Sequence, residues 1–209
     1  MANISNIKIE GGFENQDQIC KTVKEVVQEL GMSHKLENII IKPPPSDFSI
    51  DMNYLSTDEK SLELEIVDSL DNLEGRVRHE LMHVADQLGE EFKYKESNIP
   101  SDGTGEYRRY KYLWNVYIDG RLERSEKPAY ETREGREREM EECYPELSAE
   151  LRKKSFDFLW NLEPLNHEQI TKMSHDLFSA SEELKSIAQS RGEKLHNFKT
   201  LEDLKNYSK

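Results

Sequence analysis

A chain of 209 residues with 42 acidic and 29 basic side chains carries a net charge of -13, which repels phosphate backbones and anionic membrane surfaces and leaves nucleic acid out as an expected partner. Charged residues at 34% and hydrophobic ones at 35% supply core enough for one domain, or a compact domain with an appendage, beneath a heavily ionic surface. No apolar run approaches the roughly 18 to 20 residues that span a bilayer, the first residues show no secretory pattern, and Cys20 and Cys143 form no metal-type pair, so the expected compartment is the reducing cytoplasm.

The alternation of Ile7 and Ile9 before Gly11 and Gly12 predicts a short first strand. Ile19, Val23, Val26, Val27 and Leu30 recur at three- and four-residue steps, predicting an amphipathic helix over 16–30 that stops at Gly31. A strand follows at Asn38, Ile39, Ile40 and Ile41, ended by Pro43, Pro44 and Pro45. Phe48, Ile50, Met52 and Tyr54 alternate with polar residues, as do Leu62, Leu64 and Ile66, and the turn-like Ser56, Thr57 and Asp58 between them predicts an antiparallel hairpin.

Leu73, Val77, Leu81, Val84 and Leu88 then form the apolar stripe of a helix starting near Asp71. A second helix is expected over about 106–124, with Tyr110, Leu113, Trp114, Tyr117 and Ile118 inward. Residues 125–142 are almost wholly charged and read as a solvated loop or exposed helix. Beyond them, Pro145 is placed to open a helix holding Leu147, Leu151, Phe158 and Leu159. Another follows Asn166, with Ile170, Met173, Leu177, Leu184 and Ile187, and Thr200 and Asp203 are spaced to open a last one. The expected fold class is α+β: a small, mostly antiparallel sheet packed on the first long helix, with a helical C-terminal cap. The expected division is 1–124, a charged linker at 125–145, and a helical part at 146–209.

Chemistry concentrates in His79-Glu80-Leu81-Met82-His83. On a helix, residues four apart lie about 40° apart on one face, so both imidazoles can offer a nitrogen to one metal ion, expected to be a single Zn2+ per chain. Glu80, one step round, can reach an activated water without ligating the metal, the placement a general base requires. A catalytic zinc takes three protein ligands. Asp86 lies about 10 Å along the helix from His79, too far for a short carboxylate and left as a surface or supporting group. Gly89 cannot ligate through a side chain, which excludes the metzincin layout. The acids of the second helix are better placed, because Asp119 and Glu123 are four apart and can face one point. Both can equally pair with Arg121, Arg124 or Arg78 in a salt-bridge network.

An H-E-x-x-H helix followed about 35 residues later by an acid-bearing helix resembles the gluzincin-like zinc metallopeptidases. Trp114-Asn115-x-x-x-Asp119 is also similar to a segment of small bacterial and archaeal metallopeptidases. The resemblance spans about 60–124. It implies a zincin-like fold, Asp119 as third ligand with Glu123 supporting it or taking its place, and Asn115, Tyr117 and Glu123 as candidates around the reacting centre. The activity implied is peptide-bond hydrolysis on a peptide or protein substrate, with Glu80 as base. The zincin pattern also implies that extended substrate pairs with a strand edge, either 48–54 or 62–67. The alternative, from another class, is a zincin scaffold that does not hydrolyse peptides and serves protein–protein interaction.

Tyr117, Tyr112, Tyr107, Arg121 and Arg78 are candidates for stabilising the oxyanion. Cys20 sits in a helix pattern and does not fit the upstream cysteine ligand of peptide deformylases, and Cys143 reads as a quiet, half-buried thiol. His167 and His175, eight apart, read as surface residues, and His34 and His196 stand alone.

Overall fold

The computed structural model describes residues 6–45, 50–180 and 182–191, with 200, 202, 203 and 206 beyond them. Its contacts divide the chain into two compact units, Met1–Gly89 with Glu126–Tyr130, and Glu90–Ser125 with Glu131–Lys209. The class is α+β, and no helix among the described residues is long and apolar enough to cross a membrane.

The first unit contains β1 (Asn6–Ile9), α1 (Gln16–Glu29), β2 (Asn38–Lys42), β3 (Met52–Leu55), β4 (Ser61–Glu65) and α2 (Leu73–Leu88). The strands form one sheet in the order β1-β2-β4-β3. This sheet is mixed rather than mostly antiparallel: β1 and β2 run parallel, β2 and β4 run parallel, and only β3 opposes β4. Chain connectivity is the cause. Helix α1 carries the chain from β1 back to the start of β2, and such a crossover delivers a parallel neighbour. The expected hairpin is present, with Asn53 opposite Leu64 and Leu55 opposite Leu62. Its turn is fixed by Asp58, which accepts from Ser56 Oγ at 2.5 Å and from the Lys60 amide at 3.2 Å. Phe48, at the start of the expected strand, lies outside the described residues.

Ile39 and Ile41 of β2 and Leu62 and Leu64 of β4 share one face. There they join Ile19, Val23, Val26 and Val27 of α1 and Leu73, Val77, Leu81 and Val84 of α2 in a single core. The period-two strand pattern and the helical stripes therefore meet on one side of the sheet. Gly11 turns the chain between β1 and α1 at a φ of 89°, and a side chain there would come within 2.8 Å of the Pro43 ring.

Helix α2 starts two residues later than expected. Asn72 precedes it with a φ of 46°, and its side-chain amide donates to the carbonyls of Ala129 and Tyr130 at 2.8 and 3.1 Å. Lys127 pairs with Glu29 at 2.8 Å, which further holds 126–130 in this unit. Glu29 also receives Arg78 at 2.8 Å, and the hydrogen bonds from Arg78 and Lys127 hold its carboxyl down at about 2. A carboxylate whose folded pKa is depressed adds stability above its unfolded value, about 4.3, and loses it as the pH falls towards 2. Because Glu29 is 41% exposed, solvent screening limits the gain to about 1 kcal/mol or less. Glu29→Gln is accordingly expected to lower the melting temperature at pH 7 and to converge on the parent only as the pH falls towards 2, measured by thermal melts across that range.

The second unit is helical: α3 (Gly105–Arg124), α4 (Arg133–Cys143), α5 (Ala149–Asn161), α6 (His167–His175) and α7 (Glu182–Arg191). Helix α3, which the sequence reading grouped with the sheet, packs against α4, α5 and α6. That accounts for its apolar surface running all round, with Tyr110, Tyr112, Leu113, Val116, Ile118 and Leu122 all buried. The expected linker at 125–145 contains α4, whose Arg136, Met140 and Cys143 are buried. Thr104, Thr132, Ser148 and Asn166 cap α3, α4, α5 and α6 by accepting amide hydrogens with their side chains. Thus Ser148, not Pro145, opens α5. The helix after Asn166 is not continuous, since a 3-10 turn at Leu177–Ala180 separates α6 from α7. Thr200 and Asp203 do exchange the two bonds of a capping box, at 3.2 and 3.1 Å.

Candidate active site

Within the first unit, one turn of α2 brings the rings of His79 and His83 together, with their Nε2 atoms 3.3 Å apart and the ring centroids 4.9 Å apart. Two ligands on a tetrahedral zinc, each at 2.0–2.1 Å, stand about 3.3–3.4 Å from one another. The pair therefore fits two adjacent corners of such a site; in the absence of metal the same spacing serves one N–H···N hydrogen bond. His79 is 3% exposed and His83 half-buried, so the two nitrogens converge at the rim of the core.

Glu80 is 8% exposed, and its Oε2 accepts a hydrogen bond from Asn53 Nδ2 at 2.6 Å. Asn53 belongs to β3, the edge strand, and points to the same face as Leu55. The sequence reading did not single it out. The alternation points the other way: with Met52 and Tyr54 as the apolar positions Asn53 falls on the wet face, whereas the register sets Asn53 and Leu55 opposite Leu64 and Leu62 on the core side and leaves Tyr54 49% exposed. Of the two strand segments weighed for substrate, 62–67 covers all but the first residue of β4, which pairs on both sides. The other, 48–54, takes in edge strand β3 up to Tyr54.

Asp51, just ahead of β3, has a side chain only 1% exposed. Its carboxylate receives Arg76 Nη1 at 2.9 Å on both oxygens and the Val67 amide at 2.7 Å. Burial holds its carboxyl above the usual range, against the pull of that amide and of Arg76. Arg76 in turn grips the carbonyls of Val67, Ser69 and Asp71 at 3.2, 2.5 and 3.1 Å, fixing the loop that enters α2. A second side chain that the sequence reading passed over is Tyr130, whose ring lies 5.2 Å from that of His79, centroid to centroid. Asp86, left as a surface or supporting group, is not at the surface: it is 7% exposed, on the buried side of α2. Arg78, weighed for the oxyanion, is committed to Glu29 and Glu74 at 2.8 Å each. A cleft of about 460 Å³ opens between α1 and the start of α2, lined by Thr22, Val26, Leu73, Glu74, Arg78 and Pro128, and does not include His79, Glu80 or His83.

Asp119, Asn115, Tyr117 and Glu123 belong to the second unit. Asp119 is fully buried, and its Oδ2 accepts from Arg136 Nε at 2.7 Å. Asp119 therefore pairs with Arg136, a residue of the charged stretch that was not among the arginines weighed for it. Burial alone would lower the Arg136 pKa, yet Asp119 and Glu139 raise it, so the guanidinium stays charged. Glu123 is exposed and accepts from Trp160 Nε1. Asn115 is half-buried one turn before Asp119. The Tyr117 hydroxyl accepts from the Leu165 amide at 3.2 Å, while the Arg121 guanidinium stacks 4.2 Å over its ring. Tyr112 donates its hydroxyl to the Arg136 carbonyl at 3.1 Å, and Tyr107 stacks on Tyr110.

Two earlier expectations change in this unit. Cys143 is not half-buried but fully so, and burial pushes its thiol up to about 12, which keeps it protonated. His167 is not a surface residue: it is fully buried among Phe92, Tyr94, Tyr110 and Trp114. A histidine at the first position of a helix next to Glu168 looked solvated because the aromatic residues that cover it come from elsewhere in the chain. His175 is exposed, as expected. Among the described residues no group of three or more His, Cys, Asp and Glu side chains is arranged to hold a metal ion. The chain matches no protein-family model, no curated protein and no solved structure.

Proposed function

We propose that the chain is a cytoplasmic, zinc-dependent metallopeptidase of gluzincin-like kind that hydrolyses peptide bonds with Glu80 as general base. The observation that supports this most is the convergence of His79 and His83 Nε2 at a spacing two zinc ligands require, beside a carboxylate already oriented by Asn53. When bound there, zinc supplies Lewis-acid polarisation of a carbonyl and brings the pKa of a water towards neutrality. The chain's own residues do the rest. Glu80 accepts a proton from the attacking water and returns it to the leaving amine nitrogen, while Asn53 fixes the direction from which that carboxylate works. Edge strand β3, antiparallel to β4 and bearing Asn53, supplies backbone groups with which an extended peptide can pair.

For the third ligand the proposal keeps the order that the resemblance implies, Asp119 before Glu123. A fully buried carboxylate held in place by an arginine suits a ligand better than an exposed glutamate. In a zinc titration, Asp119→Ala is expected to lose affinity by 10-fold or more, about the scale of a removed ligand or its support, and Glu123→Ala to weaken it less. The reverse ranking would assign the ligand to Glu123. The reading as a whole is tested by metal analysis together with cleavage of a peptide library: one zinc per chain with hydrolysis supports it. Zinc-free, inactive protein from a chelator-free preparation overturns it.

A further inference from the structure

His167 is built into the second unit in a way that only its neutral ring satisfies. Its Nδ1 accepts the Lys95 amide hydrogen at 3.3 Å, so the ring proton sits on Nε2, which meets the Tyr110 hydroxyl at 2.8 Å. Its own amide donates to the Phe92 carbonyl at 2.8 Å. Two of these bonds tie the segment 92–95, which precedes α3, to the first turn of α6, and the third ties the ring to α3 itself.

A proton added at Nδ1 would point a second donor at the Lys95 amide. A hydroxyl such as that of Tyr110 can exchange donor for acceptor, but a backbone N–H cannot, so the conflict falls on the Lys95 side. The surroundings offer the charge little. Phe92 and Trp114 are neutral, and the titratable groups about the ring are Tyr94 and Lys95 of the segment, Tyr110 of α3 and Glu168 of α6. The Glu168 carboxylate is engaged by Lys172 at 2.7 Å on the exposed side of the helix. The first turn of α6 adds the positive end of a helix dipole. Aromatic faces return to a cation only part of what an unpaired buried charge loses on leaving water; burial accordingly lowers the pKa of this histidine.

We propose that His167 is a proton-operated latch, whose neutral ring fastens segment 92–95 to the start of α6 and whose protonation releases that segment. The direction follows from linkage. The unfolded or released form takes a proton near pH 6.5 and the latched form only at lower pH, so the latched state is fully favoured above about 6.5 and loses ground as the pH falls below it.

The test is a pH titration of the full chain from 7.5 to 4.5 by ¹⁵N NMR and amide hydrogen exchange. The expected result is a neutral Nε2–H tautomer at pH 7.5 and a His167 midpoint below the ordinary histidine value of about 6.5. The Lys95 and His167 amides should lose protection through the same midpoint, while far-ultraviolet ellipticity stays constant. His167→Gln, whose side chain can both accept and donate, should hold these amides protected across the range. A His167 midpoint at or above 6.5, or Lys95 protection unchanged through the titration, overturns the latch. So does retention of the transition in a folded His167→Gln. If that variant does not fold, the two measurements on the parent chain decide.

Discussion

Glu80→Gln is expected to retain zinc at one ion per chain and to lower the rate of peptide hydrolysis by about 10²- to 10⁴-fold, the usual contribution of a positioned general base. Glutamine keeps the length of the side chain, and its carbonyl oxygen can still accept from Asn53 Nδ2. The substitution therefore removes the basic oxygen with little disturbance to the helix or the strand. Neither histidine is touched, so metal content should not move. The fall should appear in kcat with KM nearly constant, because a proton acceptor acts in the transition state rather than in substrate binding. Atomic absorption and cleavage of a fluorogenic peptide library give the two readouts. Loss of zinc in the variant would mean that Glu80 holds metal instead of moving protons. Undiminished hydrolysis would remove Glu80 from the mechanism, and a zinc-loaded parent that cleaves no peptide would favour the scaffold alternative.

Much of the first unit was legible because its elements announce themselves locally. The period of α1 is complete within 14 residues, and the β3–β4 hairpin needs only two alternating runs and a turn. The direction of β1 was not legible from Ile7 and Ile9 alone. It became a parallel strand through the helix that follows, a relation between elements that alternation within one of them cannot express. The candidate site divides in the same way. His79, Glu80 and His83 lie within five residues, and one helical turn brings the two Nε2 atoms to 3.3 Å. Asn53 is 27 residues from Glu80 and Tyr130 is 51 from His79. Both reach the site through tertiary packing, Tyr130 from a charge-rich stretch whose composition describes only its solvated side. His167 shows the opposite failure, a local pattern that says surface overridden by an aromatic cover gathered from 92–114.

Asp51→Ala is expected to destabilise the protein by about 3–5 kcal/mol, the range for removing one partner of a buried ion pair. Against a total stability of about 5–15 kcal/mol this brings the unit close to unfolding. The cost has two sources. Arg76 is left with a guanidinium only 11% exposed and no carboxylate opposite it, and the Val67 amide loses its acceptor. Arg76→Met combined with Asp51→Ala separates these sources. It removes the stranded charge and should recover part of the loss, but not all, because Arg76 also holds the Val67, Ser69 and Asp71 carbonyls that shape the entry to α2. Urea midpoints for the parent, the single and the double variants measure both steps. A single-variant loss under about 1 kcal/mol would place the pair among weak surface bridges, contrary to its burial. The same contact bears on the candidate site, since Asp51 anchors the start of β3 two residues from Asn53. Loosening it should disorder the hydrogen bond to Glu80 before it separates His79 from His83, whose spacing is set within α2. Zinc affinity measured under native conditions is therefore expected to fall less in Asp51→Ala than the hydrolysis rate does.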